Sequence, residues 1–114
     1  MNAVKIISFM ITTYRCIHDV LAKGSSVEHV FSEIAGKSNG LCKGKGGSMH
    51  VADIDVGMLG ANGIVGGGPP LATGAALAAK LDKKGGVAVS FGGDGSCNQG
   101  PVFEAMNNVL GQYE

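Results

Sequence analysis

The sequence predicts an α/β domain built on a parallel sheet, and three observations carry that expectation. Residues 87–91 (Val-Ala-Val-Ser-Phe) form a short apolar run closed by Gly92-Gly93-Asp94-Gly95. Such a run, ended abruptly by glycine, fits a strand buried on both faces better than a half-exposed one. Helical patterns stand on either side of it, from about Leu71 to Leu81 and from Pro101 onward. Helix, buried strand, glycine turn and helix in that order describe one layer of an α/β fold.

Taken along the chain, the first feature is the apolar run Ala3–Ile11, which contains Lys5. It falls far short of the ~20 residues needed to cross a bilayer. It also lacks the basic start and the A-x-A site of a secretory leader, so a cytoplasmic location is expected. Ser25 and Glu28 then spell a capping box, with Val27, Val30, Phe31 and Ile34 following at helical spacing. Gly36 stands where a helix C-terminal glycine belongs. The second helix opens at Pro70, a first-turn residue, and is built of Ala, Leu and one Thr. The third presents Val102, Phe103, Met106, Val109 and Leu110 on one side. Glu104, Asn107, Asn108 and Gly111 lie opposite them and form a polar face. Met49, Met58 and Met106 read as gap-filling core residues. His29 falls on the polar side of the first helix.

With 114 residues, the chain is read as one domain over residues 1–114. Nine basic and nine acidic residues balance to zero, which argues against binding nucleic acid or an anionic membrane. Only 16% of residues are charged and 45% are apolar, so the chain is not generally disordered. Low charge and the absence of Trp suggest a surface normally covered by a partner chain. Eighteen of the 20 glycines lie between Gly36 and Gly100, without a Gly-X-Y period, and divide that stretch into three loops. Three cysteines (Cys16, Cys42, Cys97) without C-x-x-C spacing point to a reduced compartment rather than a disulfide scaffold. A zinc site from these cysteines with His18 and His50 would need four convergent ligands without paired spacing.

Chemistry concentrates at Asp94. A carboxylate at the carboxyl end of a buried parallel strand faces the crevice where open α/β sheets bind ligands. It cannot hold an anion by itself, but Mg²⁺ between Asp94 and a phosphate makes the two partners. The same residues also spell an ordinary turn with Asp94 solvated. The two standard nucleotide fingerprints are absent. Gly40-Leu-Cys-Lys-Gly44-Lys45-Gly46 is one residue short of a Walker A and ends in glycine, and no G-x-G-x-x-G occurs.

Several ordered motifs nonetheless carry a resemblance. They are Thr13-Tyr14-Arg15, Leu21-Ala-Lys-Gly24, Lys43-Gly-Lys-Gly-Gly-Ser-Met-His50, Leu59-Gly-Ala-Asn-Gly-Ile-Val-Gly66 and Gly93-Asp-Gly95…Asn98-Gln-Gly100…Phe103-Glu-Ala105. Over roughly Thr12 to Leu110 the chain resembles the alpha subunit of the thiamine-diphosphate-dependent 2-oxo acid dehydrogenases. That family includes the pyruvate and acetoin enzymes, and the Leu59–Gly68 wording lies closer to the acetoin type. The resemblance implies a parallel-sheet thiamine-diphosphate-binding fold and the cofactors thiamine diphosphate and Mg²⁺. It also implies a beta-like subunit and a dihydrolipoyl acyltransferase as partners, and a small oxo acid or acetoin as substrate. By the same resemblance Tyr14 and Arg15 contact the cofactor, Arg15 at its phosphate. Gly63 and Val65 match backbone that receives the aminopyrimidine ring, and Asp94, Gly95 and Ser96 match the Mg²⁺–diphosphate turn, with Asp94 as metal ligand. Lys43–His50 matches a signature loop to which no chemistry is assigned, and His50 is read as structural.

The chain departs from the family in three places. The positions after Arg15 where histidines are usual hold Ile17 and Asp19, with His18 between them. Ile17 has no proton to transfer. The upstream helix with a further His and a Gly-Gln-Glu run has no counterpart in Met1–Ile11, and the second, asparagine metal ligand on the following strand has none after Asp94. Asn107-Asn108 falls on a helix's polar face instead. The expectation is therefore a domain truncated at both ends. Two readings compete: the Mg-diphosphate half of a dehydrogenase cofactor site, or a non-catalytic fragment that retains the fold signature without turnover.

Overall fold

The computed structural model describes residues 7–83 and 85–111. They form a small α/β domain with a three-stranded parallel sheet and four α-helices. In chain order these are β1 (Phe9–Thr13), α1 (Ile17–Lys23), α2 (Val27–Ile34), β2 (Met58–Asn62), α3 (Gly68–Asp82), β3 (Ala88–Ser90) and α4 (Gly100–Gly111). Short 3-10 turns at Ile54–Val56 and Asp94–Asn98 precede β2 and α4.

The strand order is β2-β1-β3, so the first strand in sequence is the middle one in space. Met10 pairs with Met58 on one side and with Val89 on the other, and the β1–β2 register shifts between Met10 and Ile11. Successive side chains of β1 serve opposite faces, as a strand requires. Met10 joins Cys16, Val20, Val30, Val51 and Met58 in the core beneath α1 and α2. Ile11 turns to α3, its Cγ2 lying 3.5 Å from where a Cβ on Gly68 would stand. α3 covers β1 and β3 on that face, and α4 packs on α3.

The predicted α/β class and parallel sheet are what the chain adopts, with several differences in detail. The Ala3–Ile11 run yields the first part of β1 from Phe9 onward, while its opening residues lie outside those described. β3 is three residues long and half-buried, because it is an edge strand with a neighbour on one side only among the described residues. α2 forms where expected, yet its apolar spacing does not face the core. Val30 is buried, but Phe31 is 61% exposed, and Val27 and Ile34 are exposed with it. Ser32 and Glu33 are buried instead, because the helix is rotated to present Glu33 to the following loop. The capping box is absent: Ser26 is the N-cap residue with no side-chain cap bond, and Ser25 Oγ is buried without a partner.

Gly36 does end α2. At φ +69° its N–H bonds to Glu33 O (3.0 Å) and the N–H of Lys37 to Ser32 O (2.9 Å), a Schellman motif. α3 begins three residues earlier than its expected start, with Gly68 and both prolines inside its first turn. On α4 only Val102 and Ala105 are buried, while Phe103, Met106, Val109 and Leu110 are exposed. Of the methionines read as core residues, Met58 is fully buried whereas Met49 and Met106 are half exposed.

Candidate functional site

The three parallel strands end on the same side of the sheet, and the chain there changes direction. After β1 it runs to β2 on one flank, then crosses through α3 to β3 on the other. Backbones diverge at such a switch point and leave a crevice. A hollow of about 230 Å³ occupies it, bounded by Thr12 and Thr13 from β1, Asn62 from β2, Pro69 from α3 and Phe91 beyond β3.

Six of the seven residues singled out from the sequence line this hollow: Tyr14, Arg15, Val65, Asp94, Gly95 and Ser96. Tyr14 and Arg15 leave the end of β1, and the Arg15 guanidinium lies over the Tyr14 ring, 5.4 Å from its centroid. Arg15 Nη2 also donates to Tyr14 Oη at 3.4 Å. Stacking of this kind stiffens a long cationic side chain without consuming its charge. Across the hollow, Asp94 opens the 3-10 turn after Gly92-Gly93. That turn separates the carboxylate from α4, which starts at Gly100, one residue ahead of its expected start at Pro101. Ser96 is folded back: its N–H (3.0 Å) and its hydroxyl (2.5 Å) both donate to Gly93 O. Asp94, Gly95, Tyr14, Arg15 and Val65 are exposed, and Arg15 and Asp94 line the open crevice from beyond the ends of the neighbouring strands β1 and β3.

Gly63 is the residue that stands apart. It lines an adjoining shallow hollow with Tyr14, Met49, His50, Asn62 and Ile64. There the His50 ring stands beside it, with Cε1 only 2.7 Å from the place a Cβ on Gly63 would take. The segment after it is held locally, Ile64 N–H donating to Asn62 Oδ1 (2.8 Å) and Gly67 N–H to Ile64 O (3.0 Å).

The substituted positions after Arg15 have found structural uses. Ile17 packs against the core. Asp19 accepts a hydrogen bond from Thr12 Oγ1 and lies 3.3 Å from His18 Nε2, tying α1 to the strand that floors the hollow. Asn107 and Asn108 are exposed on α4, outside the hollow. Cys16 is buried, and burial pushes its thiol above the ordinary range, with Asp19 adding to the rise and backbone hydrogen bonds opposing it.

One side chain escaped the sequence reading altogether. Glu33 is fully buried (0% exposed) with both carboxylate oxygens occupied. Oε2 accepts from the N–H groups of Cys42 (2.7 Å) and Gly44 (2.8 Å), and Oε1 from those of Gly46 (2.7 Å) and Gly47 (3.1 Å). Burial would raise its pKa, but the four donors outweigh it and hold the group below the usual carboxylate range. A clue was present in the Gly44-Lys-Gly-Gly spacing, which frees successive backbone amides to converge on one anion. Nothing in the sequence said which anion.

Similarity to known proteins agrees with this architecture. Residues 2–109 match the family described as dehydrogenase E1 component. The chain is 55% identical over 96 residues to the alpha subunit of acetoin:2,6-dichlorophenolindophenol oxidoreductase of Bacillus subtilis (strain 168), covering 84% of this chain and 29% of the relative. It is 41% identical over 98 residues to the pyruvate dehydrogenase E1 component subunit alpha of Rickettsia bellii, covering 86% and 30%. To the mitochondrial pyruvate dehydrogenase E1 subunit alpha-1 of Arabidopsis thaliana it is 45% identical over 98 residues, covering 86% and 25%. The chain thus spans less than a third of the length of these relatives. With the family match running through all three strands that frame the hollow and the turn bearing Asp94, the chain belongs to the dehydrogenase E1 component family.

Proposed function

We propose that the chain supplies the Mg²⁺–diphosphate half of the cofactor site in a thiamine-diphosphate-dependent 2-oxo acid or acetoin dehydrogenase. One observation carries the reading: a guanidinium, Arg15, and a carboxylate, Asp94, line a single hollow at the switch point of a parallel sheet. The donor set suits the group. Mg²⁺ prefers one or two carboxylates together with phosphate oxygens and water, and Arg15 offers paired N–H donors to the same phosphates.

When bound, thiamine diphosphate supplies an electron sink for breaking the bond next to a carbonyl. The residues of this chain bind and orient. Asp94 holds the cation that cancels its repulsion with the diphosphate. Arg15, stiffened on Tyr14, clamps the phosphate from the β1 side. Val65 forms an apolar wall of the hollow, and Gly63 leaves backbone open beside it. A beta-like subunit completes the site and contributes the acid–base groups, a dihydrolipoyl acyltransferase receives the acyl group, and the reaction takes place in the cytoplasm.

Calorimetric titration of thiamine diphosphate at several Mg²⁺ concentrations, with and without a beta-like subunit, tests this. Wild-type binding should vanish in excess chelator. Asp94→Asn should weaken it by about tenfold or more while leaving the fold intact. Arg15→Ala should weaken it with a smaller response to Mg²⁺ concentration. Affinity that survives both Asp94→Asn and chelator would remove the metal–diphosphate assignment. A wild-type chain that binds under no condition would favour the non-catalytic fragment, a reading that Ile17 in the core already supports.

A further inference from the structure

The loop of residues 36–50 has almost no side-chain core of its own. Its shape is set by close backbone approach. A Cβ on Gly40 would stand 2.5 Å from Glu33 Cα, one on Gly44 would collide with the backbone of Gly36, and one on Gly46 with His50 O. What holds these backbones together is the Glu33 carboxylate with its four N–H donors. Cys42 adds a second tie: its Sγ accepts from Ala52 N–H at 3.2 Å, anchoring the far side of the loop near β2. The loop ends by placing the His50 imidazole on Gly63. Gly63 opens the turn at residues 63–67, whose Val65 and Gly66 line the proposed cofactor hollow. A continuous chain of contacts therefore runs from a buried anion, through a loop, to one wall of the site.

We propose that Glu33 and His50 are positioning residues for that wall: the carboxylate fixes the loop, and the loop seats the imidazole that fixes the backbone at Gly63. The proposal rests on the function assigned above for its consequence, but the mechanical link does not. A carboxylate is required, since only an anion with two oxygens accepts four N–H groups at once without presenting a donor of its own. A ring over Gly63 is required because glycine offers nothing else for neighbouring side chains to grip.

The experiment uses the full chain with Glu33→Gln, His50→Ala and the double variant. Residue-resolved amide exchange by NMR reads two places: Gly44, Gly46 and Gly47 in the loop, and Ile64 and Gly67 in the turn. His50→Ala should speed exchange at Ile64 and Gly67 by about tenfold, the loss of roughly one hydrogen bond's contribution, while leaving the loop amides unchanged. Glu33→Gln should speed both sets, and the double variant should add nothing at Ile64 and Gly67 beyond Glu33→Gln. Gly63→Ala should loosen the turn in the wild-type background and be tolerated beside His50→Ala, where its methyl group no longer meets the ring. In Mg²⁺–thiamine diphosphate titrations the two single variants should weaken binding non-additively. Unchanged exchange at Ile64 and Gly67 in His50→Ala overturns the proposal, as does a Glu33→Gln chain that loosens only its own loop. Neither exchange result depends on cofactor, so a wild-type chain that binds nothing would count against the functional reading alone. If Glu33→Gln fails to fold, the His50→Ala and Gly63→Ala results still decide.

Discussion

A buried carboxylate stabilises a fold only as long as it stays charged, and Glu33 ties that general rule to pH. Its folded pKa lies below the ordinary value, so its contribution is complete above the normal glutamate range of about 4.3 and is lost as pH falls through the folded value. Loop order should therefore persist through the normal glutamate range and be lost only as pH falls below it, seen as a steepening of acid unfolding. Glu33→Gln leaves one acceptor oxygen for four donors and points an amide NH₂ group at the rest. Breaking so satisfied a buried charge should cost about 3 kcal/mol or more in urea unfolding at neutral pH. The same variant should flatten the acid limb, because the titrating group is gone. A wild-type pH dependence retained in Glu33→Gln would mean that another carboxylate is responsible.

At the scale of elements, glycines decide where strands and helices begin. Gly57, at φ +80°, launches β2 from the 3-10 turn, and its carbonyl accepts the Met10 N–H at 2.9 Å. A Cβ there would collide with Ser8 O, a backbone atom just ahead of β1. Gly57→Ala is thus penalised twice, by its dihedral and by collision, and should cost about 2–3 kcal/mol with selective loss of amide protection at Met10. Gly74, inside α3, has open space for 4 Å around the position a methyl group would take, and its φ is ordinary. Gly74→Ala should stabilise the chain by about 0.5–1 kcal/mol through helix propensity. Thermal unfolding of the two variants should move in opposite directions.

Across the whole molecule, the apolar surface left uncovered is unusual for a chain with balanced charge. Phe31 on α2, Leu81 on α3 (71% exposed) and Leu110 on α4 (68% exposed) all face outward, and β2 and β3 each have a strand neighbour on only one side among the described residues. Among those residues no helix is long and apolar enough to cross a membrane. Apolar helix faces and unpaired strand edges promote association with other chains. The isolated chain should accordingly form concentration-dependent oligomers or aggregates in sedimentation velocity, and Phe31→Lys with Leu110→Lys should shift it toward monomer. A monodisperse wild-type monomer with one cooperative thermal transition would contradict this. A beta-like subunit should suppress the association if it covers these faces.

Several features were decided by the sequence alone: the three helices that became α2, α3 and α4, the strand before Gly92-Gly93-Asp94, the helix stop at Gly36, and the family motifs. Each is encoded locally, by helical spacing, by proline and glycine at element ends, or by an ordered run of residues. Three matters were settled only by the tertiary structure. β1 is the central strand because its partners lie about 50 and 80 residues further along the chain, at Met58 and Val89. That pairing leaves no periodicity in a run as short as Phe9–Thr13. α2 is rotated so that part of its apolar stripe faces outward, because burying Glu33 against four amides outweighs burying Phe31. Side-chain patterns register the hydrophobic part of that competition and not the backbone donors in a distant glycine loop. Finally, Arg15 and Asp94 meet across one hollow only because parallel strands carry their carboxyl ends to the same edge. That is a consequence of sheet topology, which residue identity at either position does not contain.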